Sequence, residues 1–157
     1  MFKPITSFGK KKLQDEMDSL IQLRPKISAT IGTAADNGDL SENADYHAAK
    51  DWQGDNERKI AILSKKLSEV YIPEIESDNN TVKFGFFVEI QDFDDDNSAI
   101  KKYRIVGEYE SDIDNGDLSI TSPLGRSLLN KKVGDFAEVN TPSGDKIYKI
   151  LKISIDK

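Results

Sequence analysis

Acidic residues are concentrated in one short stretch of the chain, DNGDLSENAD at 36–45, which contains no basic residue. Two of the acids, Asp39 and Glu42, are separated by only two residues. Carboxylates at this spacing could bind Mg²⁺, which usually takes one or two carboxylates together with water and substrate phosphates. Two carboxylates on a convex turn cannot exclude water or enclose a substrate. The stretch therefore predicts part of a metal site that another molecule completes.

The same residues also allow a purely structural interpretation. Asp39-Leu40-Ser41-Glu42 matches a capping box, in which Asp39 accepts a hydrogen bond from the amide of Glu42 and Glu42 reaches back. The helix dipole also favours acids in a first turn. The pentapeptide DNGDL recurs at 114–118, where strand-like segments flank it and we expect a solvent-exposed hairpin turn. Acids are dense at 92–96 and 108–117 as well, so acidity alone identifies no site.

Several residues just beyond the acidic stretch could also take part in chemistry. His47, the only histidine, could act as a base, although on a helix it is more typical of a packing or surface residue. Trp52 is more typical of a partial core or a contact surface than of a base-stacking platform. Lys50, Arg58 and Lys59 could contact a nucleic-acid strand, or could form an ordinary solvated helix face.

The sequence on both sides of the acidic stretch has the periodicity of helices. Apolar or small residues follow a heptad spacing, with Arg24 in one position, at Leu13, Met17, Leu20, Ile27, Ile31 and Ala34. A second stripe has the same period, at Tyr46, Ala49, Ile60, Leu63, Leu67 and Val70. Two stripes joined by a short glycine-containing turn predict an antiparallel helical hairpin with the acids at its tip. Pro25 predicts a bend near Arg24.

From about residue 81 the apolar residues alternate, as they do in strands. One helix is predicted at 123–130, with Ser122 as its N-cap and Pro123 as its first residue. The predicted fold class is α+β. A long antiparallel helical hairpin, or coiled coil, occupies residues 1–75, and a small antiparallel β-sheet domain with one short helix occupies 76–157.

The composition limits the possible classes of function. The chain has 157 residues, no cysteine, one histidine and a net charge of −6. Without cysteine it can form neither a disulfide scaffold nor an ordinary zinc site, which fits a reducing cytoplasm. An acidic protein is not expected to bind free DNA through its phosphates. The chain has no apolar run long enough to span a membrane and does not begin like a secretory signal, so we expect no membrane association.

The segment GDLSENADYHAAK at 38–50 closely resembles the tip signature of the bacterial Gre transcript cleavage factors, and its HAAK ending is closer to GreA than to GreB. The resemblance extends along the chain in family order. The matching segments are ITSFGKKKLQDEM at 5–17, RP at 24–25, YRIVG at 103–107, SPLGRSLLNKKVGD at 122–135 and NTPSG at 140–144. The chain is therefore identified as a member of this family of transcription elongation factors.

The resemblance implies an accessory factor rather than an enzyme. Such factors dock on bacterial RNA polymerase, enter its secondary channel with the hairpin, and stimulate the polymerase's own Mg²⁺-dependent cleavage of the 3′ end of backtracked RNA. Asp39 and Glu42 would hold the second Mg²⁺ jointly with the polymerase and orient the attacking water, while the free protein would bind no Mg²⁺ tightly. The C-terminal domain would have an FKBP-like fold that grips the channel rim, with Ser122 and Pro123 as partner-binding residues.

The resemblance further implies a monomer that acts in the cytoplasm and reaches DNA only indirectly, through the elongation complex. The sequence departs from the family at one place. An arginine that often precedes the tip turn, and is thought to help grip the transcript, is replaced here by Ala34 and Ala35. Contact with the RNA would therefore fall to Lys50 or residues beyond it, such as Arg58.

Three other functions stay open on the sequence. A regulator that occupies the secondary channel and inhibits the polymerase without stimulating cleavage would need altered tip acids, whereas both acids are present here. An autonomous nuclease would cut RNA with Mg²⁺ and no polymerase. A prefoldin-like coiled-coil chaperone would make no polymerase contact.

Overall fold

The computed structural model describes residues 2–78, 80–95 and 97–156. It divides into a helical unit, Phe8–Val70, and a sheet unit formed by the described residues of Met1–Ser7 and Tyr71–Lys157. The predicted α+β class is confirmed. The change of unit comes at Val70, earlier than the boundary predicted after residue 75, and the residues before Phe8 group with the sheet rather than with the helices.

The helical unit is the predicted antiparallel hairpin. Its helices are α1 (Ser7–Gln22), α2 (Arg24–Ala35) and α3 (Ala44–Ser68). Every apolar or small residue of the two stripes is buried or half-buried, and the buried ones include Leu13, Ile27, Ala34, Ala49, Ile60 and Leu63. Burying a large aliphatic side chain stabilises a fold by roughly 1.5–3 kcal/mol, so this seam holds the helices together. Among the described residues, no helix has the length and hydropathy of a membrane span.

A break at Leu23 separates α1 from α2, beside the predicted bend. Pro25 has no amide hydrogen and cannot continue the hydrogen-bond ladder of α1. The amide of Leu23 donates to the carbonyl of Leu20 over 3.2 Å, a tighter turn than that of an α-helix. Because proline is tolerated in the first turn of a helix, α2 starts anew at Arg24.

Side chains of α3 brace this break from across the hairpin. Asn56 is buried and donates from Nδ2 to the carbonyl of Leu20 over 2.9 Å. Arg24 donates two hydrogen bonds to the carboxylate of Glu57, both 2.8 Å long. These bonds from the guanidinium lower the pKa of Glu57 below its ordinary value of 4.5. Arg24, which interrupts the apolar stripe, is thus accommodated by a partner of opposite charge.

The strands are β1 (Lys3–Pro4), β2 (Val70–Tyr71), β3 (Phe87–Asp92), β4 (Lys101–Val106), β5 (Asp117–Ser119), β6 (Phe136–Thr141) and β7 (Gly144–Ser154). β1 and β2 pair with each other, and the other strands form a sheet in the order β5-β4-β3-β7-β6. The predicted short helix is α4 (Pro123–Leu128). The core includes Val88, Ile90, Ile105, Leu128 and Ile150.

The prediction of a wholly antiparallel sheet misses one strand pair, because β4 and β5 are parallel. Parallel neighbours need a crossover connection, and this one contains two short 3₁₀ helices, Glu108–Glu110 and Ile113–Asn115. The sequence predicted a hairpin turn between antiparallel strands for the second DNGDL. Instead, residues 114–116 end this crossover and Asp117 and Leu118 begin β5. The turn of this second copy is closed locally by two backbone hydrogen bonds between Asp112 and Asp117, each 2.9 Å long.

Residues 3–6 form a strap on the sheet unit. Ile5 is fully buried and donates its amide to the carbonyl of Tyr71 over 2.9 Å. The amide of Thr6 donates to Oε2 of Glu110 over 2.7 Å, and its hydroxyl donates to the other oxygen of the same carboxylate. The N-terminal strap therefore bonds to a part of the chain more than a hundred residues away, which no local pattern in the sequence predicts.

Candidate functional site

The tip of the hairpin is the segment 36–43, between the end of α2 and the start of α3. At Gly38 φ is +148°, a value that residues with a Cβ rarely adopt. Nothing lies within 4 Å of the position that a Cβ would occupy there, so the backbone angle, and not crowding, requires the glycine. Every residue from Asp36 to Glu42 is exposed to solvent.

The carboxylate of Asp39 is held on one side only. Its Oδ1 accepts hydrogen bonds from the amide of Ser41 over 3.1 Å and from the hydroxyl of Ser41 over 3.0 Å, which is the geometry of an Asx turn. Its Oδ2 has no hydrogen-bond partner among the described residues. Asp39 is therefore oriented by the loop and still has one oxygen available to a ligand.

The capping-box hypothesis is wrong. α3 begins at Ala44, and its N-cap is Asn43, whose Oδ1 accepts a hydrogen bond from the amide of Tyr46 over 3.0 Å. The amide of Glu42 donates to the main-chain carbonyl of Asp39, at 3.4 Å, and not to its carboxylate. The Asp-x-x-Glu spacing favoured Asp39 as the cap, but asparagine is an equally strong N-cap, and Asn43 is the cap that the helix uses.

Two residues that the sequence analysis did not assign to the site support the tip. Asn43 also donates from Nδ2 to the carbonyl of Ala34 over 2.6 Å, which joins the last turn of α2 to the first turn of α3. The Nε2 atom of His47 lies 3.3 Å from the carbonyl oxygen of Ser41, within reach of a hydrogen bond when that nitrogen carries the proton. An asparagine directly before a helix is a recognised N-cap signal, but the bond to Ala34 has no counterpart in the local sequence.

Asp39 and Glu42 line the same open cavity of about 310 Å³, together with Asn37, Gly38, Asn43, Ala44 and Asp45. Within the described part of the chain neither acid forms an ion pair, and the carboxylate of Glu42 accepts no hydrogen bond. The described residues contain no cluster of three or more acidic, histidine or cysteine side chains that could hold a metal ion. Two carboxylates fit a partial Mg²⁺ site, because the ion needs about six oxygen ligands in all.

The charges of the tip favour a cation. The acids of the segment 36–45 are all exposed, and no basic residue lies among them. These carboxylates repel one another. The partial positive charge at the N-terminus of α3, which comes from its helix dipole, offsets some of that repulsion. A divalent cation at the tip would relieve the remainder, since opposite charge within about 4–6 Å stabilises an ionised carboxylate.

The two predicted nucleic-acid contacts lie outside the tip cavity. Lys50 is exposed and donates from Nζ to Oε1 of Gln53 over 3.0 Å. Arg58 is exposed and pairs with Asp55 within the same helix. The helical rise puts Arg58 about 21 Å along the axis from the start of α3, so the structure does not bring it together with Asp39 and Glu42. Contact of Lys50 and Arg58 with nucleic acid stays a prediction.

The flank of the hairpin beside the tip carries a second open cavity, of about 610 Å³. Trp52, which is half-buried, forms part of its wall, and small side chains such as Ala29, Thr33 and Ala48 form much of the rest. Lys26 lines the same cavity. Trp52 is thus partly packed on the hairpin, as the sequence suggested, and presents its remaining surface on this flank.

Ser122 and Pro123 stand at the start of α4. Ser122 caps the helix as predicted, because its Oγ accepts from the amide of Gly125 over 3.0 Å and donates to the carbonyl of Ser119 over 2.6 Å. Its hydroxyl is thus engaged inside the sheet unit, whereas Pro123 is exposed. A partner-binding role for both residues stays a prediction.

Known families match both units. The description "Transcription elongation factor, N-terminal" matches residues 3–72, and "Transcription elongation factor, GreA/GreB, C-term" matches residues 77–155. Transcription elongation factor GreA of Maricaulis maris is 44% identical over 153 residues, and that of Beijerinckia indica is 46% identical over 153 residues. Each alignment covers 96% of this chain and 96% of the relative. The crystal structure of the GreA factor homolog 1 (Gfh1) protein of Thermus thermophilus is 22% identical, covering 98% of this chain and 99% of that chain with a TM-score of 0.44.

Proposed function

The chain belongs to the GreA/GreB family of transcription elongation factors, and we propose that it stimulates transcript cleavage by carrying Asp39 and Glu42 to the active centre of bacterial RNA polymerase. It is an accessory factor and not a catalyst in its own right. The reaction proposed is the polymerase's own cleavage of the 3′ end of backtracked RNA, which restarts arrested complexes.

One observation carries this proposal. Asp39 and Glu42 share an exposed cavity at the end of the hairpin, and their free oxygens have no partner among the described residues. Glu57, by contrast, has both carboxylate oxygens engaged by Arg24 within the helical unit. Exposed acids at a tip without such a partner are available to another molecule.

The proposed partner is bacterial RNA polymerase, and the hairpin would enter it through the secondary channel. A helix of 25 residues such as α3 is about 37 Å long, and a pair of helices is about 20 Å across, so the hairpin is a slender arm. The 3′ end of the backtracked transcript would meet the tip, and DNA would be reached only through the elongation complex. We propose that the factor acts as a monomer in the cytoplasm, where transcription occurs.

The proposed cofactor is Mg²⁺ held jointly with the polymerase. When bound, such an ion stabilises the charge that develops during displacement at a phosphodiester. Within this chain, Ser41 restrains one oxygen of Asp39, so that the carboxylate is already oriented before any ligand arrives. Glu42 has no such restraint and would adjust to the shared ion. The remaining ligands would come from the polymerase, the RNA and water.

The sheet unit would supply the grip on the polymerase, with Ser122 and Pro123 at the rim of the channel. Because the hydroxyl of Ser122 caps α4, its contribution to docking would be to hold the exposed ring of Pro123 in place. Loss of this cap would therefore weaken docking without changing chemistry at the tip.

A cleavage assay on a stalled, backtracked elongation complex tests the proposal. Asp39→Ala/Glu42→Ala should lower the rate of RNA shortening by about 100-fold or more, because charge stabilisation at the reacting phosphate is lost. Competition with labelled wild-type factor should show unchanged polymerase binding. Asp114→Ala, an exposed acid in the second DNGDL, is the matched control and should cleave like the wild type.

Other outcomes would point to the alternatives. An equal loss of binding in the double variant would make the two acids structural. RNA shortening by the purified wild-type factor with Mg²⁺ alone would identify an autonomous nuclease. Inhibition of the polymerase without RNA shortening would identify a channel-occupying regulator.

A further inference from the structure

A single side chain, that of Asn43, ties together the two ends of the tip. Its Oδ1 accepts from the amide of Tyr46 in α3, and its Nδ2 donates to the carbonyl of Ala34 in α2. The two contacts require opposite chemistry, an acceptor on one side and a donor on the other, and an amide side chain supplies them from two separate atoms. Asn43 is half-buried, whereas the preceding residues of the tip are exposed.

The bond to Ala34 closes the tip into a ring. The carbonyl of Ala34 also accepts the amide of Asn37, at 3.2 Å, so it receives hydrogen bonds from both ends of the loop. Asp39 and Glu42 are both residues of this closed loop. Without the bond from Asn43, the loop would keep the bond from Asn37, the turn at Ser41, the bond from the amide of Glu42 to the carbonyl of Asp39, and the contact of His47 with the carbonyl of Ser41. None of these bonds joins α2 to α3.

We infer that Asn43 is a positioning residue for Asp39 and Glu42, acting through the carbonyl of Ala34. The inference rests on the proposed function and adds to it a residue that fixes where the acids stand. Hydrogen bonds that orient a ligating group typically affect activity by about 10–100-fold when removed. Displacement of a reacting group by about 1 Å can have an effect of similar size. A rigid ring at the tip would prevent such displacement.

The positioning role can be separated from the capping role by substitution. Asn43→Ser and Asn43→Asp both keep an acceptor for the amide of Tyr46, and serine and aspartate are both good N-caps. Ionised aspartate has no donor, and serine has no second polar atom at the position from which Nδ2 donates to the carbonyl of Ala34. Serine leaves the charge of the tip unchanged, while aspartate adds a carboxylate, so an effect shared by both variants comes from the lost donor. Asn140→Ser, at an exposed position of β6, is the control substitution.

The test measures the maximal cleavage rate on a backtracked complex and the factor concentration that gives half of it. Asn43→Ser and Asn43→Asp should lower the maximal rate by about tenfold or more, with the half-saturating concentration changed by less than about twofold. Hydrogen exchange of the free variants should be faster at residues 38–42 of the tip and unchanged in α3 beyond its first turn. A full maximal rate in both variants, a loss confined to half-saturation, or unchanged exchange at 38–42 would overturn the inference.

The variant Asp39→Ala/Glu42→Ala, run in the same assay, separates failure of the inference from failure of the proposed function. If the double variant loses stimulation while Asn43→Ser and Asn43→Asp keep it, the acids act without the ring and only the positioning role is wrong. If the double variant cleaves like the wild type, the proposed function itself is wrong and the inference fails with it.

Discussion

The pentapeptide DNGDL occurs twice in this chain and serves two purposes. At 36–40 it joins two helices, and Leu40 is 45% exposed beside the open cavity that Asp39 lines. At 114–118 it leads into a strand, where Leu118 is 3% exposed and the backbone of Asp117 pairs with that of Asp112. Both copies place their glycine at positive φ, +148° at Gly38 and +82° at Gly116.

This comparison shows which properties of a turn are local. Five identical residues need a glycine at positive φ in both places, because that need arises within the backbone. The elements on either side decide whether the leucine reaches a core and whether the aspartate before it pairs through its backbone with another segment. At the tip no sheet is present to bind the chain, so the acid stays free for a ligand. The motif alone therefore does not predict function, whereas its flanking structure does.

Paired leucine substitutions test the largest expected difference between the copies. Leu118→Ala removes a buried side chain of the sheet core and should lower the free energy of unfolding of the sheet unit by about 2–5 kcal/mol. Leu40→Ala changes an exposed side chain and should alter stability by no more than about 0.5 kcal/mol. Urea titration followed by hydrogen exchange in β4 and β5 would measure Leu118→Ala, and exchange in α2 and α3 would measure Leu40→Ala. Similar losses in the two variants would show that the copies do not differ in packing.

Paired glycine substitutions test the backbone. A Cβ at Gly116 would lie 3.0 Å from the carbonyl oxygen of Lys102, in addition to the strain of a positive φ. Gly116→Ala should therefore destabilise the sheet unit by about 1–2 kcal/mol. Gly38→Ala meets no neighbour, and its strain can relax within an exposed loop, so less than about 1 kcal/mol is expected. Thermal unfolding compares the two. A larger effect at Gly38 would mean that the tip is the more rigid turn.

The ion pair between Arg24 and Glu57 gives the smallest expected effect and concerns the helical unit alone. A carboxylate whose pKa is lower in the folded than in the unfolded state contributes stability above its unfolded pKa, and this is lost as the pH falls through its folded pKa. The helical unit should therefore lose this contribution as the pH falls below about 4.5. The variant Glu57→Gln should lack this contribution to stability at every pH. The side chains are 48% and 47% exposed, so the change in Tm at pH 7 should be about 2 °C or less.

Fluorescence of Trp52 follows the helical unit for this measurement, since it is the only tryptophan in the chain. Melting curves of the wild type and of Glu57→Gln from pH 7 to about pH 3 should converge at the acid end. A constant separation between the two curves would show that Glu57 acts through packing rather than charge. Hydrogen exchange in β3 and β7 should not distinguish the two proteins.

The helical unit was predictable because its signals are local. The apolar stripes repeat every three or four residues, and Pro25 marks the break at Leu23. The sheet was predictable as a set of strands, but the parallel pairing of β4 with β5 depends on a crossover whose path no short segment encodes. The N-terminal strap escaped prediction for the same reason, because its partner Glu110 is distant in sequence.

At the tip, residue types predicted the acids but not the frame that holds them. Asp39 and Glu42 stood out by charge and spacing. The Asp-x-x-Glu spacing indicates Asp39 as the N-cap, and the asparagine at 43 is an equally strong N-cap signal. Only the backbone shows that α3 begins after Asn43. The bond from Asn43 to Ala34 depends on how closely the helices approach, which is a property of the seam as a whole. The roles of Lys50, Arg58, Ser122 and Pro123 concern surfaces that another molecule would meet, so the isolated chain leaves them as predictions.

The N-terminal strap has a consequence for how the protein is made. Thr6 leaves the ribosome early, but its partner Glu110 follows 104 residues later. Ordering so long an intervening segment costs entropy, and that cost falls once the helices between them have folded. During synthesis the hairpin should therefore form first and β1 can pair with β2, whereas the bonds from Thr6 to Glu110 form only when the second half of the chain emerges. A nascent chain arrested before residue 110 would therefore hold the strap through Tyr71 but without the bonds from Thr6 to Glu110, which a chain released beyond that residue would add.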